Sequence, residues 1–214
     1  MIADNPDARL GFIGGMDIPL IHKFHGGFFA GAMYANEALR EEGMLLGQYI
    51  GQDPTAFSDP ASAERIATNM YANGAEIIYH AAGGSGNGLF KAASDLDKLA
   101  IGVDSDQGLI LATSDNEQER EIAEHIVSSM LKRVDQAVFN LSGQFIDNGG
   151  SVDGGYVTYA LEDGGVGIAQ NEFNDEVVGA YADQVAEVRD AVVSGEISVP
   201  DHDDQLADWM EATF

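Results

Sequence analysis

The segment Val103-Asp104-Ser105-Asp106-Gln107 puts an aspartate directly after a short apolar run, where it can recognise a ligand. A carboxylate at the carboxyl end of a strand can accept two hydrogen bonds from a vicinal diol, the chemistry of ribose recognition. Such charge-assisted bonds contribute on the order of 1.5–3 kcal/mol each. Calcium binding does not fit, because the pattern D-x-[DN]-x-[DN]-G needs its glycine one place beyond Gly108. Capping of the following helix is the alternative use of this carboxylate.

A second group is His80-Ala81-Ala82-Gly83-Gly84-Ser85-Gly86-Asn87-Gly88, between an apolar run and a helical pattern. Glycines there let the backbone approach a ligand closely and expose N–H groups at a helix start. A phosphate loop would end Gly-Lys-Ser/Thr, whereas this one continues Gly88-Leu89-Phe90. The dinucleotide pattern fails as well, because Leu89 stands where its third glycine belongs. Ligand contact and a tight structural turn both remain open for Gly83 and Gly84.

Ser129-Met130-Leu131-Lys132 matches the S-x-x-K nucleophile pattern, but it falls within a helical periodicity and lacks partner motifs. On that helix Lys132 would share a polar side with Ser128 and Gln136. The five histidines, His22, His25, His80, His125 and His202, form no known ligand spacing, although His22 and His25 share a helix face. No metal and no cofactor are expected. Phe24, Phe28 and Phe29 read as core, whereas Phe57 lies in a polar turn and is the better candidate to stack on a base, worth about 1–3 kcal/mol.

These residues need a scaffold, and alternating apolar runs and helical patterns describe one. Strands are predicted at Leu10–Ile13, Leu45–Ile50, Glu76–His80 and Leu99–Val103, with helices at Ile18–Leu39, Ala61–Ala72 and Leu89–Leu96. The alternation implies a parallel sheet with helices on both faces. Ile122, Ile126, Met130, Val134 and Val138 predict one long helix, Tyr156–Leu161 and Val166–Ala169 two further strands, and Val178 to Val192 a last helix. Ligands of open α/β sheets bind beyond the carboxyl ends of the strands. Here those ends are Gly14 to Asp17 (with Met16 and Asp17), Gly51 to Phe57, Ala81 to Gly88, and Asp104 to Gln107.

Composition narrows the function classes. The chain has 36 Asp plus Glu against 10 Lys plus Arg, a net charge of −26, with 45% hydrophobic residues. So few basic residues exclude counterion-releasing nucleic-acid binding, and the apolar content is too high for a disordered acidic tail. Such acidity resembles that of proteins from extreme halophiles, because molar salt shortens the Debye length to about 3 Å and makes the charge tolerable. With no Cys there is no disulfide, thiolate zinc site or lipid-anchor cysteine, and Met1–Asp7 shows no secretory leader pattern.

Read in order, the motifs resemble one family. Gly11-Phe12-Ile13-Gly14-Gly15-Met16-Asp17-Ile18-Pro19-Leu20-Ile21, with Phe24 and Gly27-Phe28, resembles the mid-chain opening of the basic membrane protein family, purine-nucleoside receptors of ABC transporters. Ile78 to Phe90, Gly102 to Gln107 and Ser129 to Asp135 resemble its next three signatures. The resemblance implies a type I periplasmic-binding-protein-like α/β fold, mainly its second lobe, following a signal, a lipid-modified Cys and a first lobe. It implies a binding lobe over residues 1–112, a hinge-crossing long helix over 113–150, and returning strands with a C-terminal helix over 151–214. Asp104 and Lys132 then match the family residues that hold ribose hydroxyls, joined by Gly83, Gly84, Met16, Asp17 and Phe57. The implied partners are a nucleoside, an ABC permease and its ATPase, at the cell surface, with no catalysis and no nucleic acid. Membrane association would come only through the family's lipid anchor. The competing readings are an intracellular α/β enzyme using Ser129 and Lys132 or the Gly83–Gly88 loop, and a ligand-sensing regulatory module.

Overall fold

The computed structural model describes residues 9–214; the opening Met1–Asp7 lies outside them. One six-stranded sheet runs in the order β2-β1-β3-β4-β5-β6. Its strands are β1 (Arg9–Met16), β2 (Leu45–Gly51), β3 (Ala75–Ala81), β4 (Leu99–Asp104), β5 (Ile126–Lys132) and β6 (Val166–Ile168). The first five are parallel, and β6 closes the edge antiparallel to β5, pairing Met130 with Ile168 and Lys132 with Val166. β1 is buried along almost its whole length, as a central parallel strand covered on both faces must be.

Successive residues of a strand point to opposite faces, so Phe12 and Ile13, both 0% exposed, seed two cores. Ile13 and Ile78 pack under α2 (Pro60–Ala72) and α3 (Gly86–Asp95), against Ile66, Met70, Leu89 and Phe90. Phe12, Tyr79 and Val103 pack under α1 (Pro19–Ala35), against Ile21 and Phe29. Fully burying one such side chain contributes about 1.5–3 kcal/mol. α2 starts where its chemistry dictates: the Asp59 side chain accepts the Ser62 N–H at 3.0 Å, and Pro60 occupies the first turn. α1 stops at Ala35 rather than Leu39, since Asn36 turns the chain into a short 3-10 segment at Glu37–Arg40.

The predicted long helix through Ile122, Ile126 and Met130 does not form. The chain makes α4 (Gln107–Ala112) and α5 (Glu117–Ala123), then the extended β5, then α6 (Val134–Asp147). A spacing of four keeps side chains on one face of a helix, but it also keeps them on one face of a strand, where alternate residues align. Ser129-Met130-Leu131-Lys132 therefore lies in a parallel strand, and the grouping of Lys132 with Ser128 and Gln136 on a helix side is lost. Tyr156–Leu161 is not a strand either. The outer edge of β5 is taken by β6, and this segment folds into a turn in which the Gly165 N–H donates to the Ala160 carbonyl at 2.8 Å.

The C-terminal stripe forms α7 (Asp175–Val178) and α8 (Ala182–Val193), separated by a 3-10 turn at Gly179–Tyr181. Neither α6 nor α8 contains a buried residue, and Phe139 and Ile146 of α6 are each 74% exposed. α9 (Leu206–Thr213) returns to α1 and buries Trp209 against Ala30 and Met33. Among the described residues no helix is long and apolar enough to cross a membrane.

Candidate functional site

The strand order fixes where the candidate residues meet. From β1 the chain steps to β2 on one side, and from β2 it crosses over β1 to β3 on the other, so the carboxyl ends of β1 and β3 flank a topological switch point. Along this edge lie Phe57, then Met16 and Asp17, then Gly83 and Gly84, then Asp104, then Lys132. With strands about 4.8 Å apart, the distance from β1 to β5 is about 14 Å. The edge is an open platform. Two hollows lie away from this edge: one of about 420 Å³ between Leu99, Ile126 and Asn174, another of about 490 Å³ between Lys23, Tyr159 and Val199.

Asp104 ends β4, one register step from the end of β5, where Asp104 faces Leu131. That register brings the Lys132 Nζ to 2.8 Å from Asp104 Oδ1, with both side chains about half exposed (52% and 45%). An ion pair so accessible to water contributes only about 0–1 kcal/mol to folding. Asp104 also sits at φ 69°, in the left-handed region that non-glycine residues rarely occupy and Asp and Asn tolerate best. The capping role is performed by Asp106 instead, whose Oδ1 accepts the Leu109 N–H at 3.0 Å and whose Oδ2 accepts from Asn171 at 2.8 Å. The Asp104 carboxylate therefore faces outward with Lys132 as its neighbour.

The glycine loop is held in place from beneath. Gly83 adopts φ +55°, which favours glycine, and Gly83 and Gly84 are both exposed with the Phe57 carbonyl beside them. The Phe57 ring lies on Gly15 of β1, where any Cβ would strike it. Phe57 is half-buried in the α1-side core, so one face of its ring is committed to the fold. Ser85, fully buried, ties this turn to the loop: its hydroxyl donates to the Ala56 carbonyl and accepts the Asp59 N–H, both at 2.7 Å. Met16 is half-buried at the end of β1, and Asp17 is exposed, with Oδ1 accepting from His22 Nε2 at 2.8 Å.

Sequence reasoning missed the buried network behind the edge. The Ala82 N–H donates to His80 Nδ1 at 3.3 Å, so the ring carries its proton on Nε2 and donates it to Gln107 Oε1 at 3.1 Å. The same oxygen accepts the Val103 N–H at 2.8 Å, and the Gln107 N–H donates to Ser129 Oγ at 3.2 Å. Burial, opposed weakly by Gln107 and Asp104, drives the His80 pKa down to about 4, so the ring stays neutral. The only sequence signal for this network was a histidine at the end of an apolar run, five residues before Ser85-Gly86.

The network also places Ser129 away from Lys132. Three positions apart on a strand, they point to opposite faces; Ser129 is 1% exposed and bound to Gln107, whereas Lys132 is exposed and bound to Asp104. They do not form a nucleophile–base pair.

A family model described as ABC transporter substrate-binding protein PnrA-like matches residues 6–203. The chain is 30% identical over 195 residues to Basic membrane protein D of Borreliella burgdorferi (strain JD1), covering 90% of this chain and 51% of that protein. It is 32% identical over 201 residues to the ABC transporter nucleoside-binding protein BmpA of Lactococcus lactis subsp. cremoris, covering 90% of this chain and 53% of that one. It therefore spans about half the length of the curated relatives it matches. Among solved structures, an ABC transporter solute-binding protein from Aeropyrum pernix K1 aligns with TM-score 0.68 at 24% identity, over 96% of this chain and 61% of that one. Another, from Conexibacter woesei DSM 14684, aligns with TM-score 0.63 at 18% identity, over 90% of this chain and 57% of that one. These likenesses bear on the fold, and they agree with the α/β solute-binding lobe expected from the motifs.

Proposed function

The chain belongs to the Bmp family of PnrA-like ABC transporter substrate-binding proteins, and on that premise we propose that its carboxyl edge is one wall of a purine-nucleoside site. The observation that carries this reading is the Asp104–Lys132 pair, 2.8 Å apart at neighbouring strand ends. Asp104 accepts hydrogen bonds from the two ribose hydroxyls, and Lys132 donates to a hydroxyl oxygen while keeping its contact with Asp104. The exposed backbone of Gly83 and Gly84 approaches the sugar and base, and Met16 with the free face of Phe57 forms the apolar wall for the base. A neutral nucleoside suits a chain of net charge −26 better than a nucleotide does.

Small-molecule sites usually enclose 70–90% or more of their ligand, and an open platform cannot. Enclosure of the ligand would come from a second wall, such as the other lobe of a full-length family member. A cognate permease and ATPase at the cell surface are the partners that family membership supports. The test is titration of the chain with inosine, guanosine and adenosine in molar KCl, followed by calorimetry or intrinsic fluorescence. Saturable 1:1 binding of a nucleoside, with ribose alone and the 5′-phosphate much weaker, is the expected result. Equal response to every compound, or no response to any, refutes the reading.

A further inference from the structure

Three of the five histidines gather at one place on the α1 face, at the rim of the strand-end platform beside Asp17. His22 and His25, one turn apart on α1, face Asp203 in the 3-10 turn Asp203–Gln205 that precedes α9. His22 Nδ1 lies 2.5 Å from Asp203 Oδ1, and His25 Nδ1 lies 3.2 Å from Asp203 Oδ2. The Tyr49 hydroxyl of β2 sits between the same two nitrogens, at 2.8 and 3.0 Å. We propose that His22 Nδ1, His25 Nδ1 and the Asp203 carboxylate form a binding site for a zinc-class divalent metal ion, which fastens the C-terminal segment to α1.

Donor–acceptor accounting supports a cation there. His22 Nε2 is 2.8 Å from Asp17 Oδ1, a contact in which the nitrogen must donate. A neutral His22 then has only a lone pair at Nδ1, facing the lone pairs of Asp203. The Tyr49 hydroxyl can donate to one of these acceptors, but the 2.5 Å contact between His22 Nδ1 and Asp203 Oδ1 still calls for a proton or a metal ion between them. A carboxylate holding the far nitrogen of a histidine is also the usual outer partner of a metal-bound imidazole.

His25 is the interior member of the cluster. Its ring is 95% buried, stacked on Phe12 at 4.5 Å and 8° and set edge-on to Phe29 at 4.4 Å. Its Nε2 lies against Gly47 and is, among the described residues, the buried side-chain polar atom without a partner. Nδ1 is the ring nitrogen that faces Asp203 and Tyr49, and ligation through it leaves the ring's proton on Nε2 as an unpaired buried N–H, a cost the metal bond must exceed.

The geometry suits a small ion. With zinc–nitrogen bonds of about 2.0–2.1 Å, ligand atoms of a tetrahedral site lie about 3.3 Å apart; the 3.2 Å contact already fits, the 2.5 Å contact must open by less than an ångström, and all three ligand atoms lie within 4.8 Å of one another. Tyr49 or a water takes the remaining position. Two imidazoles with one carboxylate favour zinc and its neighbours, whereas calcium and magnesium prefer oxygen alone. His202 stacks on His22 at 3.9 Å, and its Nδ1 is 3.1 Å from Asp203 Oδ1. The ion would bridge two segments about 180 residues apart in sequence.

The test uses the whole chain in molar KCl with excess Mg²⁺, which occupies the exposed carboxylates. Calorimetry with Zn²⁺ is expected to show one site per chain with a rise in Tm, and Co²⁺ to give visible ligand-field bands that Zn²⁺ abolishes. His22→Gln and Asp203→Asn, checked as folded by circular dichroism, are each expected to weaken Zn²⁺ by more than the about 10–100-fold that loss of an outer partner costs. His125→Gln, outside the cluster, should leave it unchanged; its Nδ1 contacts the Lys98 carbonyl. Absence of a Mg²⁺-resistant site, or Zn²⁺ affinity unchanged in both cluster variants, overturns the assignment.

Discussion

Asp104→Asn separates recognition from folding better than any other substitution at the platform. The native residue sits at φ 69°, and asparagine tolerates that region as well as aspartate does, so the backbone keeps its path. The lost ion pair with Lys132 is about half exposed on both sides and contributes about 0–1 kcal/mol. For a chain of 214 residues that is at most a few degrees of Tm. On the proposed function, binding is affected far more: one charge-assisted hydrogen bond to a ribose hydroxyl would be lost outright, about 1.5–3 kcal/mol. At about 1.4 kcal/mol per decade, affinity falls roughly ten- to a hundredfold. Asp104→Ala confounds the two effects, because alanine in the left-handed region costs about 1–2 kcal/mol of backbone energy.

The decisive assay is a thermodynamic cycle with nucleoside and 2′-deoxynucleoside on the native chain and on Asp104→Asn, each followed by calorimetry and by a urea transition. The native chain should prefer the ribonucleoside, and the variant should lose most of that preference. A variant that keeps the full preference shows that Asp104 does not touch the ribose. A loss of more than about 2 kcal/mol in the urea transition instead makes the residue a structural one.

Other perturbations address the scaffold. His80 is neutral in the fold, with its pKa near 4 against about 6.5 unfolded, so the unfolded chain binds the proton first and stability falls as pH drops from about 6.5 to about 4. This contributes about 3 kcal/mol at most, and a pH series of urea transitions should be flatter over that window in His80→Gln than in the native chain. Ser85→Ala strands the buried Ala56 carbonyl and Asp59 N–H, at a cost of about 1–3 kcal/mol; urea unfolding measures it, and nucleoside affinity should fall too as Gly83 and Gly84 loosen. A net charge of −26 predicts a Tm that climbs steeply between 0.1 M and molar KCl; a scan flat in salt refutes the halophilic reading.

How legible the fold was depended on which spacings discriminate. Phe12 beside Ile13 and Ile78 beside Tyr79 are continuous apolar runs too short for a helix, so strands buried on both faces were the natural reading, and their carboxyl ends marked the platform. Ile122, Ile126, Met130, Val134 and Val138 recur only at intervals of four, which strands and helices share. Apolar residues three apart, the steps that single out a helix, were not part of that pattern, and β5 went unseen. Asp104 and Lys132 were recognisable as types, but their 2.8 Å contact depends on β4–β5 register, which no local pattern carries. The His22–His25–Asp203 cluster was illegible for a related reason, since one member returns from the far end of the chain.

The buried chain from Ala82 through His80 and Gln107 to Val103 and Ser129 joins the ends of β3 and β4, the middle of β5 and the start of α4. Every hydrogen-bonding function of the His80 ring is used, so the ring cannot rotate or gain a proton without breaking a contact beneath the platform. The gap between the glycine loop and Asp104 is consequently set before any ligand arrives. A ligand laid across it does not have to assemble its own site, and the ordering cost of association falls mainly on the ligand and the flexible Lys132 side chain. On the proposed function, such a surface would behave as a ruler, selecting among sugars and bases by length and by where their hydroxyls fall, with little capacity to adjust to those that do not fit.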